Sequence, residues 1–219
     1  MFDVNETLLD LGALDPLFDD VLGDAALRSV WFATMLQVAF VGGLTGDYVD
    51  FTTAQKAALH MVAARARRTI DDDDVETIVA AMRRLPPHPD ARPALERLHD
   101  AGYRLTALTN SVLDVAEDQL VHAGLADLFE GVYSADTVRA LKPLPRPYGM
   151  VAERSRVPIS QLRLVAAHAW DVTGALAAGA RAAFVARAGA VPTPHGLRPD
   201  VVGDLTAVAD QLLANTASS

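Results

Sequence analysis

The 219-residue chain contains no cysteine. Disulfides, zinc–thiolate sites and cysteine nucleophiles are therefore excluded. Positive charge is scarce: 19 lysines and arginines stand against 28 aspartates and glutamates, a formal net charge of −9. Such a surface repels phosphate backbones and anionic lipid, so nucleic acid and membrane surfaces are poor partners. A small anionic substrate remains open, because a local pocket can oppose the global sign. No basic segment precedes an apolar run in the opening MFDVNETLLD. No signal peptide is therefore expected, and a cytoplasmic location is. Long apolar runs are missing too; residues 30–41 read as too short to span a bilayer. Neither an internal repeat nor a low-complexity tract is present.

What remains is globular composition, with 51% hydrophobic and 21% charged residues. A chain of this length fits one large domain, or one domain carrying a smaller insert. From residue 103 onward, short apolar runs alternate with helical patterns. Residues 103–108, 131–133, 162–167, 182–185 and 201–202 read as strands. Residues 112–123, 171–178 and 205–213 read as helices, with Gly124 and Gly179 as stops. Alternation of this kind implies a parallel sheet with right-handed crossovers. Residues 14–84 show helical periodicity only: Leu27, Val30, Trp31, Met35 and Val38 fall three or four apart. The aspartates at 71–74 read as a helix N-terminus favoured by the macrodipole. Pro86 to Pro89 form a stiff exit linker, and residues 214–219 read as a disordered tail.

The expected architecture is α/β, a Rossmann-like parallel-sheet core of residues 1–13 and 88–219 with an inserted all-helical cap of residues 14–87. An insert after the first strand overhangs the carboxyl ends of the strands, where open α/β sheets place their sites. Only Met1 and Phe2 precede Asp3, whereas a buried strand usually runs for about five residues. Either the sequence starts late within its first strand, which is the favoured reading, or that strand is very short.

Polar residues sit at four strand ends: Asp3, the Thr109–Asn110 pair, Lys142 and Asp171. Singly, each fits an N-cap, a turn or a surface loop. Together, a parallel sheet brings all four to one edge. A carboxylate such as Asp3 can attack carbon or phosphorus and form an ester. Lys142 supplies the cation that keeps it ionised. Thr109 and Asn110 can hold a substrate carboxylate or leaving group. Asp171 can activate the water that cleaves the ester.

The order of these motifs resembles the haloacid dehalogenase superfamily, most closely its type II L-2-haloacid dehalogenase branch. The resemblance rests on Asp3 with Thr7, Thr109 with Asn110, Lys142 with Tyr148 in K-P-x-P-x-x-Y, and A-W-D-x-x-G-A around Asp171. It implies that Asp3 displaces halide from a short 2-haloacid and that Asp171 assists hydrolysis of the ester. It also implies that Thr7 orients Asp3 and that Tyr148 supports the Lys142 loop. Asn5, Thr109, Asn110, His168 and Tyr148 are the expected substrate-side residues.

Two departures separate the chain from the superfamily's metal-dependent phosphatases: Asn5 replaces their acid-donating Asp, and Ala167 replaces a usual acidic residue. No cofactor or metal is expected; magnesium belongs only to the phosphatase alternative. A non-catalytic anion- or partner-binding role is the other alternative, and a homodimer stays open. Other departures are from the dehalogenases themselves. Phe32 stands where their cap Arg follows a Trp, and Ala166-Ala167-His168 stands in place of S-x-N. His168 reads either as a hydrogen-bonded strand-end residue or as a pocket residue. Trp31, Phe32 and Phe40 read as cap core.

Overall fold

The structure, a computed structural model, describes residues 1–216. After a 3-10 turn at Leu11–Leu14 come four helices: α1 (Asp15–Leu22), α2 (Leu27–Thr45), α3 (Phe51–Arg65) and α4 (Asp72–Ala81). Beyond them the order is α5 (Ala91–Asp100), β1 (Thr106–Thr109), α6 (Leu113–His122), β2 (Gly131–Ser134), α7 (Pro145–Ser155), β3 (Arg163–Ala166), α8 (Ala169–Ala177), β4 (Arg181–Val185), β5 (Val201–Gly203) and α9 (Leu205–Thr216). The tail read as disordered from residue 214 is helical through Thr216; residues 217–219 lie outside the described residues.

Strand β1 pairs with β2, and β3 with β4 and β4 with β5, all in parallel. The first residues of the chain join these two groups. Phe2 bridges Ala107 on one side and Val165 on the other. Phe2 N–H donates to the Thr106 carbonyl at 2.7 Å, and Asp3 N–H to the Val165 carbonyl at 3.0 Å. The short start therefore acts as the central strand, because each neighbour supplies backbone partners for it. The spatial order is β2, β1, residues 1–3, β3, β4, β5.

Side chains alternate across this sheet with a period of two. Phe2, Val165, Ala183 and Val185 face one apolar cluster, with Leu95 and Leu98 of α5 and Val208, Ala209 and Leu212 of α9. Leu164, Ala166, Ala182 and Phe184 face the other, with Val151 of α7 and Val172 and Ala175 of α8. The sheet is covered on both faces, as parallel sheets are.

The four-helix stretch has local reasons for its bounds. Pro16 opens α1, and Gly23 at φ 72° closes it. The Asp71 side chain caps α4 by accepting from Asp74 N–H, and Asp72 to Asp74 occupy its positive end. Helix α2 runs 19 residues, longer than the apolar run at 30–41 suggested, and by length and composition alone could cross a bilayer. Its Trp31 is instead buried against Phe18, and the indole N–H donates to the Gln55 carbonyl of α3 at 3.0 Å. The two connections to the stretch run side by side. Leu9 bridges Pro87 in antiparallel fashion, Asp10 N–H donates to the Pro86 carbonyl, and His88 N–H donates to the Leu8 carbonyl.

Candidate active site

Three of the strand-end residues meet at one buried ammonium. Lys142 is fully buried in the loop before α7, and its Nζ uses all three of its donors. It donates to Asp3 Oδ1 at 2.8 Å, to Asp171 Oδ2 at 2.5 Å and to the Leu108 carbonyl at 2.9 Å. A buried charge is tolerated when it is paired and fully hydrogen-bonded, and that condition is met here.

Each charged group is held by a second residue. Residues 4–8 make a tight turn, with Leu8 N–H donating to the Val4 carbonyl, and Glu6 within it takes φ 62°. The turn folds Thr7 back over Asp3. Thr7 Oγ1 donates to Asp3 Oδ2 at 2.7 Å and accepts from Ala167 N–H at 3.0 Å. Asn110 clamps the Lys142 backbone in both directions: its amide donates to the Lys142 carbonyl at 3.1 Å and accepts from Lys142 N–H at 2.8 Å. The Lys142–Pro143 peptide bond is cis. Tyr148 is buried, and its hydroxyl donates to Asp171 Oδ1 at 2.6 Å. Gly174 of α8 lets the helix approach this loop. A Cβ there would lie 2.5 Å from Pro143 Cβ and 2.7 Å from the Tyr148 hydroxyl.

Asn110 and Tyr148 were expected on the substrate side. The structure instead aims the Asn110 amide at the Lys142 backbone and the Tyr148 hydroxyl at Asp171, although Asn110 also lines the cavity. Asn5 reaches the cavity wall, but its amide donates to Ser111 Oγ and accepts from Gln119, which leaves no acid proton there. Ser111 is indistinguishable in sequence from an ordinary turn residue, and Gln119 lies within a helix, so nothing in the sequence marks either as a partner of Asn5. Thr109 also lines the cavity, and its Oγ1 accepts from Ser111 N–H.

The charges are not equivalent. Burial alone would raise the Asp3 pKa, but Lys142, His168 and the hydrogen bonds from Lys142 and Thr7 outweigh it and hold the carboxyl below its ordinary value. Asp171 moves the other way. Its burial, with the Asp3 charge nearby, overcomes the attraction of Lys142 and the hydrogen bonds from Lys142 and Tyr148. Lys142 is pushed down by burial but raised further by Asp171 and Asp3, so it stays charged. Burial and Asp171 raise the Tyr148 phenol, which stays a donor. The resting cluster therefore has a carboxylate favoured in its charged form, a favoured cation, and a second carboxylate whose ionisation is disfavoured relative to an ordinary aspartate.

His168 lies beside the cluster. Its Nε2 is 3.7 Å from Asp3 Oδ2 and 3.3 Å from the Asn5 carbonyl. Its ring stacks between Phe32 and Trp170, at 5.4 Å and 5.2 Å between centroids. Phe40 meets Trp170 edge-on at 5.3 Å. Phe32 and Phe40, read as cap core, thus contact residues that follow β3; only Trp31 is confined to the helical stretch. Phe51 of α3 also lines the cavity. Among the described residues, no group of three or more His, Asp or Glu side chains is placed to hold a metal ion. Asp3 and Asp171 each give an oxygen to Lys142, whose charge between them opposes a second cation at that place.

Comparison with known proteins follows the same lines. Over 217 residues the chain is 28% identical to an (S)-2-haloacid dehalogenase of Pseudomonas putida, covering 97% of this chain and 96% of that protein. A haloacetate dehalogenase of Moraxella sp. (strain B) is 29% identical over 91% of this chain and 90% of its own. The structure of L-2-haloacid dehalogenase from Xanthobacter autotrophicus superposes with a TM-score of 0.90, at 26% identity and 96% coverage of both chains. The same enzyme with chloropropionic acid covalently bound gives 0.89, at 25% identity and 96% coverage of both. Residues 1–179 match the family of haloacid dehalogenase-like hydrolases, and the chain belongs to that family.

Proposed function

We propose that this chain hydrolyses the carbon–halogen bond of a small 2-haloacid through an ester on Asp3, without metal or cofactor. The observation that carries the reading is Lys142 Nζ, fixed between Asp3 and Asp171. Its place there suits attack by one carboxylate and base catalysis by the other. The relatives named above, including one structure with chloropropionic acid covalently bound, support it. The helices between residues 14 and 87 serve as the cap over this site.

In the first step an Asp3 oxygen attacks the α-carbon in line with the halogen. The carbon–oxygen bond forms as halide leaves with the bonding pair, so the carbon inverts. Halide needs no proton, and the tied-up amide of Asn5 costs this step nothing. Thr109, His168 and the remaining Asn110 N–H supply the polar wall for the substrate carboxylate and the leaving halide. In the second step water attacks the Asp3 carboxyl carbon and Asp171 takes its proton. The 2-hydroxyacid leaves with the oxygen it took from Asp3 and the proton returned by Asp171, and Asp3 keeps the oxygen of water as a carboxylate, the second proton of water passing to solvent.

The test is halide and phosphate release from one sample, using chloroacetate, 2-chloropropionate and an aryl phosphate, with chelator and then with magnesium. Halide release in chelator is expected. Magnesium-dependent phosphate release without halide release would overturn the reading.

A further inference from the structure

Two cavities meet at one wall. The inner one, about 10 Å³, is lined by Asp3, Lys142, Thr109 and Asn110. That is room for about one water molecule, and no acid fits it unless a wall yields. The outer one, about 410 Å³, lies between α2 and the chain after β4. Phe32, His168 and Trp170 line both cavities, so the partition is the three-ring stack itself.

Apart from Phe51 of α3, the other walls of the inner cavity are tied by hydrogen bonds. Asp3, Lys142 and Asn110 are buried and bonded to one another. The stack is held more weakly. Phe32 and Trp170 contribute ring contacts there, and Trp170 Nε1 is buried with no protein acceptor. Beyond the stack, Ala33, Leu36, Ala190 and Val191 give the outer chamber an apolar side. Its two guanidinium groups are already engaged, Arg28 by Asp15 and Glu6, and Arg187 by Asp90 and the Thr7 carbonyl. The outer chamber is therefore suited to an alkyl chain rather than to a second anion.

We propose that the Phe32–His168–Trp170 stack sets the chain-length specificity of the site, making the wild-type chain favour haloacetates over longer 2-haloacids. This rests on the dehalogenase reading. Carboxylate, halogen and α-carbon crowd against Asp3 with the smallest displacement of the rings. Every further carbon on the α-carbon has to push through the stack toward the outer chamber. One methylene in such a pocket is worth about 10- to 200-fold in kcat/KM. Truncating Phe32 merges the two spaces and removes that barrier.

The experiment compares wild type, Phe32→Ala and Phe32→Leu in halide release from chloroacetate, 2-chloropropionate and 2-chlorobutyrate. Binding of glycolate and 2-hydroxybutyrate is followed in parallel by tryptophan fluorescence. Trp31 is buried and bonded to the Gln55 carbonyl, so Trp170 carries the change. Wild type is expected to lose at least about 10-fold in kcat/KM from chloroacetate to 2-chlorobutyrate, and Phe32→Ala to recover most of it. If Phe32→Ala does not fold by thermal melt, Phe32→Leu carries the same comparison with a smaller recovery. A wild type that prefers the longer acid, or variants with an unchanged ratio, would overturn the inference. Absence of halide release throughout would instead sink the dehalogenase reading. In that event, wild type binding glycolate over 2-hydroxybutyrate, with the preference lost in the variant, upholds the partition; equal binding, or none, overturns it.

Discussion

Replacing Lys142 by Met keeps most of the side-chain volume and removes the charge that Asp3 and Asp171 share. Both carboxylates stay buried, and the Leu108 carbonyl loses its donor. Breaking a buried pair by deleting one partner costs about 3–5 kcal/mol, a large part of the roughly 5–15 kcal/mol that holds a domain folded. The cost should depend on pH, with a definite sign. In wild type, Lys142 holds Asp3 below its ordinary pKa, so Asp3 favours the fold above the unfolded value and loses this as pH falls through its lowered one. Without Lys142 both carboxylates rise above the unfolded value. They then favour the fold only at low pH and oppose it as pH rises through their raised values. The stability gap between wild type and Lys142→Met should therefore be smallest near pH ~4 and widen upward. Each extra proton held by the folded variant adds at most about 1.4 kcal/mol per pH unit. Urea unfolding followed by circular dichroism at about pH 4.5, 6 and 7.5 follows the widening upward from that minimum. A gap constant across it, or a variant as stable as wild type at neutral pH, would refute the charge-sharing argument.

Asp3→Asn should lower kcat by several powers of ten, since an amide is a poor nucleophile. In wild type, a single turnover in heavy-oxygen water should place the label on Asp3 by mass spectrometry; label appearing first in product would mean that water attacks the substrate directly. Tyr148→Phe removes a hydrogen bond that favours the ionised Asp171. The acid limb of the kcat profile should move to higher pH, and an unmoved limb would detach Asp171 from turnover. Gly174→Ala puts a methyl into Pro143 and the Tyr148 hydroxyl, at a cost of about 1–3 kcal/mol and some displacement of the Lys142 loop. A raised melting temperature would show that Ala's better helix propensity wins and the approach is slack.

The alternation of strands and helices was readable because buried parallel strands are continuous apolar runs and the helices end at glycines. The meeting of Asp3, Lys142 and Asp171 was readable for one reason: a parallel sheet gathers strand ends. What escaped depends on rotation and on distant partners. Whether Phe32 faces its own helices or His168 depends on how α2 turns about its axis, which neighbouring elements decide. Phe51 and Gln119 are likewise set by the docking of α3 and α6. The amide of Asn110 could have met substrate or backbone; only the position of the Lys142 loop, 32 residues on, selects the backbone. That residues 1–3 pair on both sides was not legible in the sequence, because their partners, β1 and β3, lie more than 100 residues away.

The single ammonium between two carboxylates also imposes an order in time. At rest the negative Asp3 is one of the influences that keep Asp171 reluctant to ionise. Forming the ester abolishes the Asp3 charge. With that charge gone, Asp3 no longer opposes ionisation of Asp171, and Lys142 can serve Asp171 alone. The base is thus released by the alkylation that creates the need for it, and it is withdrawn again when hydrolysis restores the Asp3 carboxylate. On the mechanism proposed above, the cluster would act as a two-stroke relay in which each half-reaction favours the protonation state the next one uses.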